Sequence, residues 1–319
     1  MPHVLVAGRV HEAGLRLLAD AGFSVRAIDE VSVASYAPHL GDADALLIRT
    51  QPLTATEIAA APRLRIVSRH GVGYDAVDAA ALAARQIPLT IVGDVNAVAV
   101  AEHAFAAMLA LAKDIRMHDR AVREGDWELR NRFMATELSG KVLLLVGFGR
   151  IGRLVAGMAR AFGMRVLVSD PYQSADAVRA GGAEPVASLR EGLTLADYVS
   201  LHAPKSGAGP LIGVSELAAL RPGACLVNTA RGGLVDEAAL GQALDAGRLR
   251  GAALDVFDVE PPAAGHPLAG HERVLLSPHI AGLSIESAIR MSEAAARNIV
   301  DAFAGRLDRS LVVNGVGSG

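Results

Sequence analysis

The chain has 319 residues, of which 51% are hydrophobic, and its 31 basic and 34 acidic side chains give a formal net charge of −3. A chain of this length predicts two domains, each large enough to bury a core without metal or disulfide support. The near-neutral charge offers no broad basic surface to nucleic acid or to an anionic membrane. We therefore expect neither as a partner.

The single cysteine, Cys225, excludes an intramolecular disulfide and disfavours a cysteine-based metal site, so no metal is predicted. This composition suits a reducing cytoplasm. The N-terminal apolar stretch over 4–8 is too short for the core of a signal peptide. The most apolar long segment, over 97–112, is interrupted by Glu102 and His103, and it is shorter than the ~20 residues that a membrane-spanning helix needs. A cytoplasmic protein is expected.

Short runs of Val, Leu and Ile alternate with Ala- and Leu-rich stretches of helical period, a pattern typical of parallel α/β architecture. In the first part of the chain, strands are predicted over 3–7, 23–27, 45–49, 65–69 and 88–92, and helices over 11–21 and 78–84. A second series predicts strands over 142–146, 165–169, 198–202, 225–228, 251–254 and 274–276. The second series suits a six-stranded doubly wound sheet.

Two long helical patterns flank the second series of strands. One continuous helical segment, over 98–124, is predicted to bridge the two domains. A second Ala-rich helix, over 284–304, is followed by a short predicted strand over 311–313. We expect this tail to return to the first domain.

A glycine-rich turn opens the second series. The apolar strand of KVLLLVGFGR runs directly into Gly147, Gly149 and Gly152 in GxGxxG spacing, and a helix is predicted over 153–162. The first glycine permits a tight turn, the second lets the backbone approach a pyrophosphate, and the third allows close helix–strand packing. The spacing alone is a weak signal, but the strand–turn–helix context favours a dinucleotide site over a structural turn.

An acidic residue, Asp170, ends the next predicted strand, at about the 20-residue distance expected of a ribose-binding carboxylate. A carboxylate accepts hydrogen bonds from ribose hydroxyls and repels a 2′-phosphate, so Asp170 favours NAD over NADP. The alternative is a strand-end turn formed with Pro171. No arginine directly follows Asp170 to receive a phosphate.

Three further polar residues, Arg231, Glu260 and His279, follow predicted strands, where open α/β sheets place their ligands. Taken alone, Arg231 is most simply a surface arginine, Glu260 an exposed loop acid and His279 an ordinary boundary histidine. Together they fit one reaction, the reduction of a 2-oxo acid. This reaction leaves negative charge on the carbonyl oxygen, which needs a proton donor and a nearby cation. Histidine supplies the proton, glutamate favours the imidazolium, and arginine binds the carboxylate and polarises the carbonyl.

At this point the sequence resembles the D-2-hydroxyacid dehydrogenases of the phosphoglycerate dehydrogenase type. The resemblance covers almost the whole chain and is carried by VGFGRIG at 146–152, NTARGGLVDE at 228–237, ALDVFDVEPP at 253–262, SPHIAG at 277–282 and RHGVGYD at 69–75. It implies an α/β fold of two Rossmann-like, doubly wound domains. An NAD-binding domain over 98–283 would be inserted into a flavodoxin-like substrate domain over 1–97 plus 284–319.

The resemblance also implies roles for individual residues. His279 would be the acid/base, Glu260 its partner, and Arg231 the ligand of the substrate carboxylate and carbonyl. Val72 and Gly73 would offer backbone N–H groups to the substrate carboxylate. Arg150 and Ile151 would meet the pyrophosphate, and the nicotinamide side would be lined by Ala203, Pro204, Thr229, Ala230 and Asp255. A homodimer is implied, formed through about 98–133.

Substrate choice is expected to lie in the first domain. Arg49 and Arg69 each end a predicted strand, and in phosphoglycerate dehydrogenases arginines at matching places meet the second anionic group of the substrate. The alternative is that Arg69 only pairs with an acid such as Asp75. His70 and Ala76 depart from the pattern of that class, in which a small residue and an asparagine are common. A phosphoglycerate-like substrate is favoured, with glyoxylate or hydroxypyruvate as the alternative.

Two other interpretations are less favoured. Formate dehydrogenases share this fold but pair the histidine with a glutamine, where this chain has Glu260. A non-catalytic NAD-binding corepressor-like protein would use the scaffold for partner recognition. The joint presence of Arg231, Glu260 and His279 argues for an enzyme instead.

Overall fold

The computed structural model of the protein describes residues 1–205, 207 and 209–317. The chain divides into two compact units. The first, here called the N/C unit, contains Met1–Asn96 and Leu283–Gly319, and the second, here called the central unit, contains Ala97–Gly282. No helix among the described residues combines the length and apolar character needed to cross a bilayer.

Strands and helices alternate along both units. The strands are β1 His3–Ala7, β2 Ser24–Ile28, β3 Ala45–Ile48, β4 Ile66–Arg69, β5 Leu89–Thr90, β6 Val142–Val146, β7 Arg165–Ser169, β8 Glu184–Pro185, β9 Tyr198–Leu201, β10 Ala224–Asn228, β11 Leu249–Leu254 and β12 Val274–Leu276. The helices are α1 Glu12–Asp20, α2 Val33–Tyr36, α3 Ala55–Ala59, α4 Ala79–Ala84, α5 Ala97–Lys113, α6 Ile115–Glu124, α7 Arg150–Ala161, α8 Ala175–Ala180, α9 Leu189–Leu195, α10 Val214–Ala219, α11 Glu237–Asp245 and α12 Ile285–Phe303.

The N/C unit is built on a parallel sheet of strand order β2-β1-β3-β4-β5. Its central strand β3 is buried on both faces, which is why the sequence there is a continuous apolar run rather than an alternating one. The strand order is the flavodoxin-like one. The predicted α/β class of this unit is thereby confirmed.

The central unit contains a parallel sheet of order β12-β11-β10-β9-β6-β7-β8. Apolar side chains from both faces of this sheet form two buried clusters, one of them shared with α5 and α7. The chain leaves β6 in one direction for β7 and then crosses to β9 on the other side. This reversal places the topological switch point of the doubly wound sheet between β6 and β9.

The sequence prediction of six strands in this sheet was wrong by one. Glu184 and Pro185 pair with Leu167 and Val168 of β7 and form the additional edge strand β8. Proline is tolerated at a sheet edge because its missing backbone N–H would have no further strand to bind. A two-residue strand carries no periodic signal, so the sequence pattern did not reveal it.

The predicted single helix over 98–124 is two helices in the structure. Asp114 adopts a left-handed backbone, with φ +47°, between α5 and α6. Arg250 of β11 donates to the Asp114 carboxylate at 2.6 Å and to the carbonyl of Met134 at 2.6 Å. Contacts with the distant strand β11 thus stabilise the interruption between α5 and α6. The helical periodicity of residues 98–124 cannot reveal such contacts.

Other boundaries also differ from the predictions. The helix after the glycine-rich turn begins at Arg150 rather than at residue 153. The predicted strand over 311–313 is instead a 3₁₀ turn at Arg309–Leu311, followed by a single antiparallel bridge between Val312 and Thr90. The short helices α2 and α3 were not predicted, because four or five residues are too few to show helical periodicity.

Candidate active site

The glycine-rich turn connects β6 to α7 at the switch point of the central sheet. Gly147 has φ +98°, and a Cβ at this position would lie 2.6 Å from the carbonyl oxygen of His202. A Cβ at Gly152 would lie 2.4 Å from the carbonyl oxygen of Gly147. Packing therefore requires glycine at both positions.

Gly149 has a different environment from the other two glycines. Within the described part of the chain, a Cβ there would meet nothing within 4 Å, and no side chain caps the α7 N-terminus that this residue precedes. The space next to Gly149, with the first amides of α7, suits the close approach of a pyrophosphate. Arg150 and Ile151 form the first turn of this helix.

Asp170 follows β7, the strand beside β6. Its two carboxylate oxygens accept hydrogen bonds from the backbone N–H groups of Phe148 at 2.7 Å and Tyr172 at 2.8 Å. The carboxylate is thus fixed to the glycine-rich turn itself. A carboxylate has about four acceptor sites, so each oxygen retains capacity for a ribose hydroxyl.

His202 follows β9, on the other side of the switch point, and no sequence motif predicted a role for it. Its Nε2 lies 2.9 Å from the hydroxyl of Ser200, and burial lowers the pKa of the imidazole to about 4. A neutral ring therefore lies behind the glycine-rich turn. Ala203 and Pro204 continue the chain from this position.

A side-chain hydrogen-bond pair shapes the turn after β10. Asn228 accepts from the backbone N–H of Ala230 at 3.0 Å and donates to the carbonyl of Arg231 at 2.9 Å. The hydroxyl of Thr229 is buried and has no hydrogen-bond partner among residues 1–205, 207 and 209–317. A buried unpaired hydroxyl is costly unless a ligand supplies its partner. This orphaned atom and the open space at Gly149 fit a bound dinucleotide.

The side chains of Glu260 and His279 form a short hydrogen bond. Glu260 Oε2 lies 2.6 Å from His279 Nδ1, and Glu260 Oε1 accepts from the backbone N–H of Phe257 at 3.0 Å. The His279 side chain is 52% exposed. Because the carboxylate binds Nδ1, Nε2 is the ring nitrogen left to exchange a proton with a substrate.

The structure brings the three predicted catalytic residues to one edge of the sheet. Strands β10, β11 and β12 are neighbours and parallel, and Arg231, Glu260 and His279 follow their carboxyl ends. A Cβ at Gly232 would collide with the carbonyl of Phe257. The turn that carries Arg231 therefore packs directly on the loop that carries Glu260.

Asp255, which the resemblance places on the nicotinamide side, binds the loop that follows β12. Its buried carboxylate accepts from the Ser277 hydroxyl at 2.5 Å and from the backbone N–H groups of Ile280 at 2.9 Å and Ala281 at 2.8 Å. Its carbonyl accepts from the N–H of His279 at 2.8 Å. The loop over 277–281 is wrapped around Asp255.

Two residues that support this loop were not predicted from the sequence: Ser277, within the loop, and His103, in helix α5. His103 Nε2 lies 3.1 Å from the Ser277 hydroxyl. The available signal was the interruption of the apolar α5 segment by a histidine. That signal did not identify a partner, because Ser277 lies 174 residues further along the chain.

The predicted substrate residues lie in the N/C unit, at the carboxyl ends of β3 and β4. Arg69 pairs in register with Ile48, and its guanidinium donates to the carbonyl of His70 at 2.9 Å. The Arg49 guanidinium donates to the carbonyl of Arg9 at 3.3 Å. Arg49 thus directly follows β3, and Arg69 is the last residue of the neighbouring strand β4. Val72 and Gly73 lie in the loop that follows β4.

His70 is a buried polar residue among these arginines. Its Nε2 lies 3.0 Å from the hydroxyl of Ser292 in α12. Burial, with the positive charges of Arg49 and Arg69, lowers the pKa of the imidazole to about 4. The imidazole is therefore neutral at physiological pH.

A doubly wound sheet with a glycine turn and a ribose-type carboxylate at its switch point, and an imidazole–carboxylate pair a few strands away, belongs to the class of dinucleotide-binding dehydrogenases. Residues 105–281, more than half of the chain, match the family model described as "D-isomer specific 2-hydroxyacid dehydrogenase, NAD binding domain". The chain belongs to the D-isomer specific 2-hydroxyacid dehydrogenase family. The resemblance noted from the motifs is confirmed.

Curated relatives support the same family. The chain is 37% identical over 318 residues to D-3-phosphoglycerate dehydrogenase 2, chloroplastic, of Arabidopsis thaliana, covering 99% of this chain and 50% of the relative. It is 39% identical over 307 residues to D-3-phosphoglycerate dehydrogenase of Mycobacterium bovis, covering 96% of this chain and 57% of the relative. The chain thus spans about half the length of these relatives.

A solved structure is similar over its whole length. The TT0316 protein from Thermus thermophilus superposes with a TM-score of 0.87 at 33% identity, covering 96% of this chain and 98% of that one. The two chains therefore share a fold from end to end.

Proposed function

We propose that the protein is an NAD-dependent 2-hydroxyacid dehydrogenase that acts on D-3-phosphoglycerate or a close analogue. The observation that carries the proposal is the 2.6 Å contact between Glu260 Oε2 and His279 Nδ1, beside the turn that holds Arg231. An imidazole held by a carboxylate is suited to take and return a proton. The chain's similarity to relatives named D-3-phosphoglycerate dehydrogenase supports the same activity.

In the proposed reaction, His279 Nε2 accepts the proton of the substrate 2-hydroxyl during oxidation and returns it during reduction. Glu260 favours the imidazolium that forms. Arg231 holds the substrate carboxylate through its planar guanidinium and stabilises negative charge on the C2 oxygen. NAD supplies the acceptor for the hydride that leaves C2.

The central unit is proposed as the NAD-binding domain. Gly147, Gly149, Arg150, Ile151 and Gly152 would hold the pyrophosphate. Asp170 would bind the adenosine ribose and favour NAD over NADP. The nicotinamide side would be lined by Ala203, Pro204, Thr229, Ala230 and Asp255. The orphaned hydroxyl of Thr229 supports this placement.

The N/C unit is proposed as the substrate domain. Val72 and Gly73 would offer backbone N–H groups to the substrate carboxylate. Arg49, directly after β3, and Arg69, the last residue of the neighbouring strand β4, would bind the second anionic group. This is why a phosphorylated substrate is proposed over glyoxylate or hydroxypyruvate.

We further propose a cytoplasmic homodimer. The segment from α6 to residue 133 exposes large apolar side chains, among them Trp127 at 60% and Phe133 at 88%. Exposed aromatic side chains in one segment are typical of a protein interface. Sedimentation of the purified chain at micromolar concentration, compared with a Trp127→Arg, Phe133→Arg double variant, tests the assembly. A monomeric wild type would contradict it.

Purified protein assayed for oxidation and reduction with NAD and NADH tests the activity. The panel pairs acids that carry a second anion, such as D-3-phosphoglycerate, with acids that lack one, such as hydroxypyruvate and glyoxylate. A higher kcat/KM for the phosphorylated acid supports the proposal. Preference for the small acids would show a glyoxylate/hydroxypyruvate reductase instead. Binding of NADH without turnover of any 2-hydroxy or 2-oxo acid would favour a corepressor-like interaction protein.

A further inference from the structure

A chain of three polar side chains connects helix α5 to the loop that bears His279. His103 Nε2 lies 3.1 Å from Ser277 Oγ, and Ser277 Oγ lies 2.5 Å from Asp255 Oδ1. His103 Nε2 and Asp255 Oδ1 are 3.9 Å apart, so the three groups converge. All three belong to the central unit.

The direction of these hydrogen bonds follows from the chemistry of the groups. Asp255 is buried, with a side chain 1% exposed, and a buried carboxylate only accepts. The Ser277 hydroxyl must therefore donate to Asp255. With its proton committed there, Ser277 Oγ accepts from an N–H on His103 Nε2.

The loop needs such support because of its own backbone. His279 has φ +53°, in the left-handed region that non-glycine residues seldom adopt and that costs of order 1 kcal/mol or more. Three N–H groups of the loop bind Asp255: those of Ile280 and Ala281 reach its carboxylate, and that of His279 reaches its carbonyl. The orientation of Asp255 therefore sets the position of the His279 backbone.

We propose that His103 is a positioning residue that acts through Ser277 and Asp255 to hold the loop over 277–281, and with it the His279 imidazole, in its reactive place. This inference rests on the proposed function in assigning proton transfer to His279. The position of the loop itself does not depend on that function. A measurement on the protein without cofactor or substrate therefore separates the two.

The first test is hydrogen–deuterium exchange of the loop amides without cofactor. His103→Leu and Ser277→Ala should each speed exchange of the Ile280 and Ala281 amides about tenfold. The free energy of one hydrogen bond corresponds to about a tenfold change in the equilibrium constant for local opening. His103→Gln, whose amide places a donor near the same point, should restore slow exchange. Unchanged exchange in His103→Leu would overturn the proposal.

The matched control lies in the N/C unit. His3 Nδ1 and Ser24 Oγ form another histidine–serine hydrogen bond, at 3.3 Å, far along the chain from the loop. His3→Leu should leave exchange of the 277–281 amides unchanged. If it accelerated them equally, the effect would be a general loss of stability, and the positioning role would be refuted.

The second test is a double-mutant cycle on turnover. We expect His103→Leu to lower kcat about tenfold with less than about threefold change in KM, the signature of a lost transition-state interaction. In the Ser277→Ala background, His103→Leu should have no further effect, since the chain is already broken. Additive losses would overturn the proposal. A wild type that turns over no 2-hydroxy acid would instead refute the proposed function and leave the exchange result intact.

Discussion

Gly232 packs against the carbonyl of Phe257 so closely that a Cβ would collide with it. Through this contact the turn that carries Arg231 is seated on the loop that carries Glu260, whose carboxylate accepts from the Phe257 N–H at 3.0 Å. Arg231, the proposed ligand of the substrate carboxylate, and Glu260, the partner of His279, are thus positioned by one backbone contact between two loops.

Replacement of the proposed acid/base should stop turnover without releasing the cofactor. His279→Ala should lower kcat about 10²- to 10⁴-fold, the usual contribution of a positioned acid/base. Its affinity for NADH should stay within about threefold of wild type, because the proposed role is proton transfer. Steady-state kinetics and fluorescence titration with NADH measure the two quantities. His271→Ala, which removes the imidazole of another histidine–carboxylate pair, is the control, and a large loss of NADH affinity in His279→Ala would contradict the assignment.

Cofactor choice should depend on Asp170. Asp170→Ala removes the acceptor for ribose hydroxyls and the repulsion of a 2′-phosphate, so kcat/KM should fall at least about tenfold for NAD and less for NADP. The measurement is the ratio of kcat/KM for the two cofactors with one substrate. Asp176→Ala, at an exposed aspartate paired with Arg179, should leave the ratio unchanged. An equal loss with both cofactors would show that Asp170 only supports the turn.

Recognition of the second anion should depend on the arginines of the N/C unit. Arg69→Met should reduce kcat/KM for D-3-phosphoglycerate about 10- to 100-fold, the usual value of a charge-assisted hydrogen bond. Substrates without a second anion should be affected less. The comparison is made across the substrate panel, with Arg16→Met at an exposed helical position as the control. Equal losses on all substrates would indicate a structural role for Arg69.

Acid should destabilise the protein partly through His70. Burial beside two arginines holds the pKa of His70 at about 4, below the value of about 6.5 expected in the unfolded chain. The unfolded state therefore binds a proton first as the pH falls from about 6.5 towards 4, and stability is lost over that range. The contribution is about 2 kcal/mol between pH 7 and pH 5.

Urea denaturation at both pH values measures this contribution. His70→Gln keeps a side-chain donor towards Ser292 but does not titrate, so its loss of unfolding free energy between pH 7 and pH 5 should be about 2 kcal/mol smaller than that of wild type. His39→Gln, at a partly exposed position of the same unit, should lose as much as wild type. An identical pH dependence for His70→Gln would refute the burial argument.

The features that depend on local order along the chain were predictable from the sequence. Gly147, Gly149 and Gly152 follow an apolar strand and precede a helix, and the order of these elements is enough to indicate a dinucleotide turn. Buried parallel strands show as apolar runs because both of their faces are covered. The fold class was therefore available before the structure.

The tertiary structure alone decided which side chains meet. The Asp255 carboxylate accepts hydrogen bonds from a loop that lies 22 to 26 residues further along the chain. His103 and Ser277, 174 residues apart in the sequence, form a hydrogen bond. Asp114, between α5 and α6, is bound by Arg250 of strand β11. Periodicity and motif spacing describe neighbours along the chain. Hydrogen bonds between distant segments depend on strand order and loop packing, which become definite only when the whole sheet has formed.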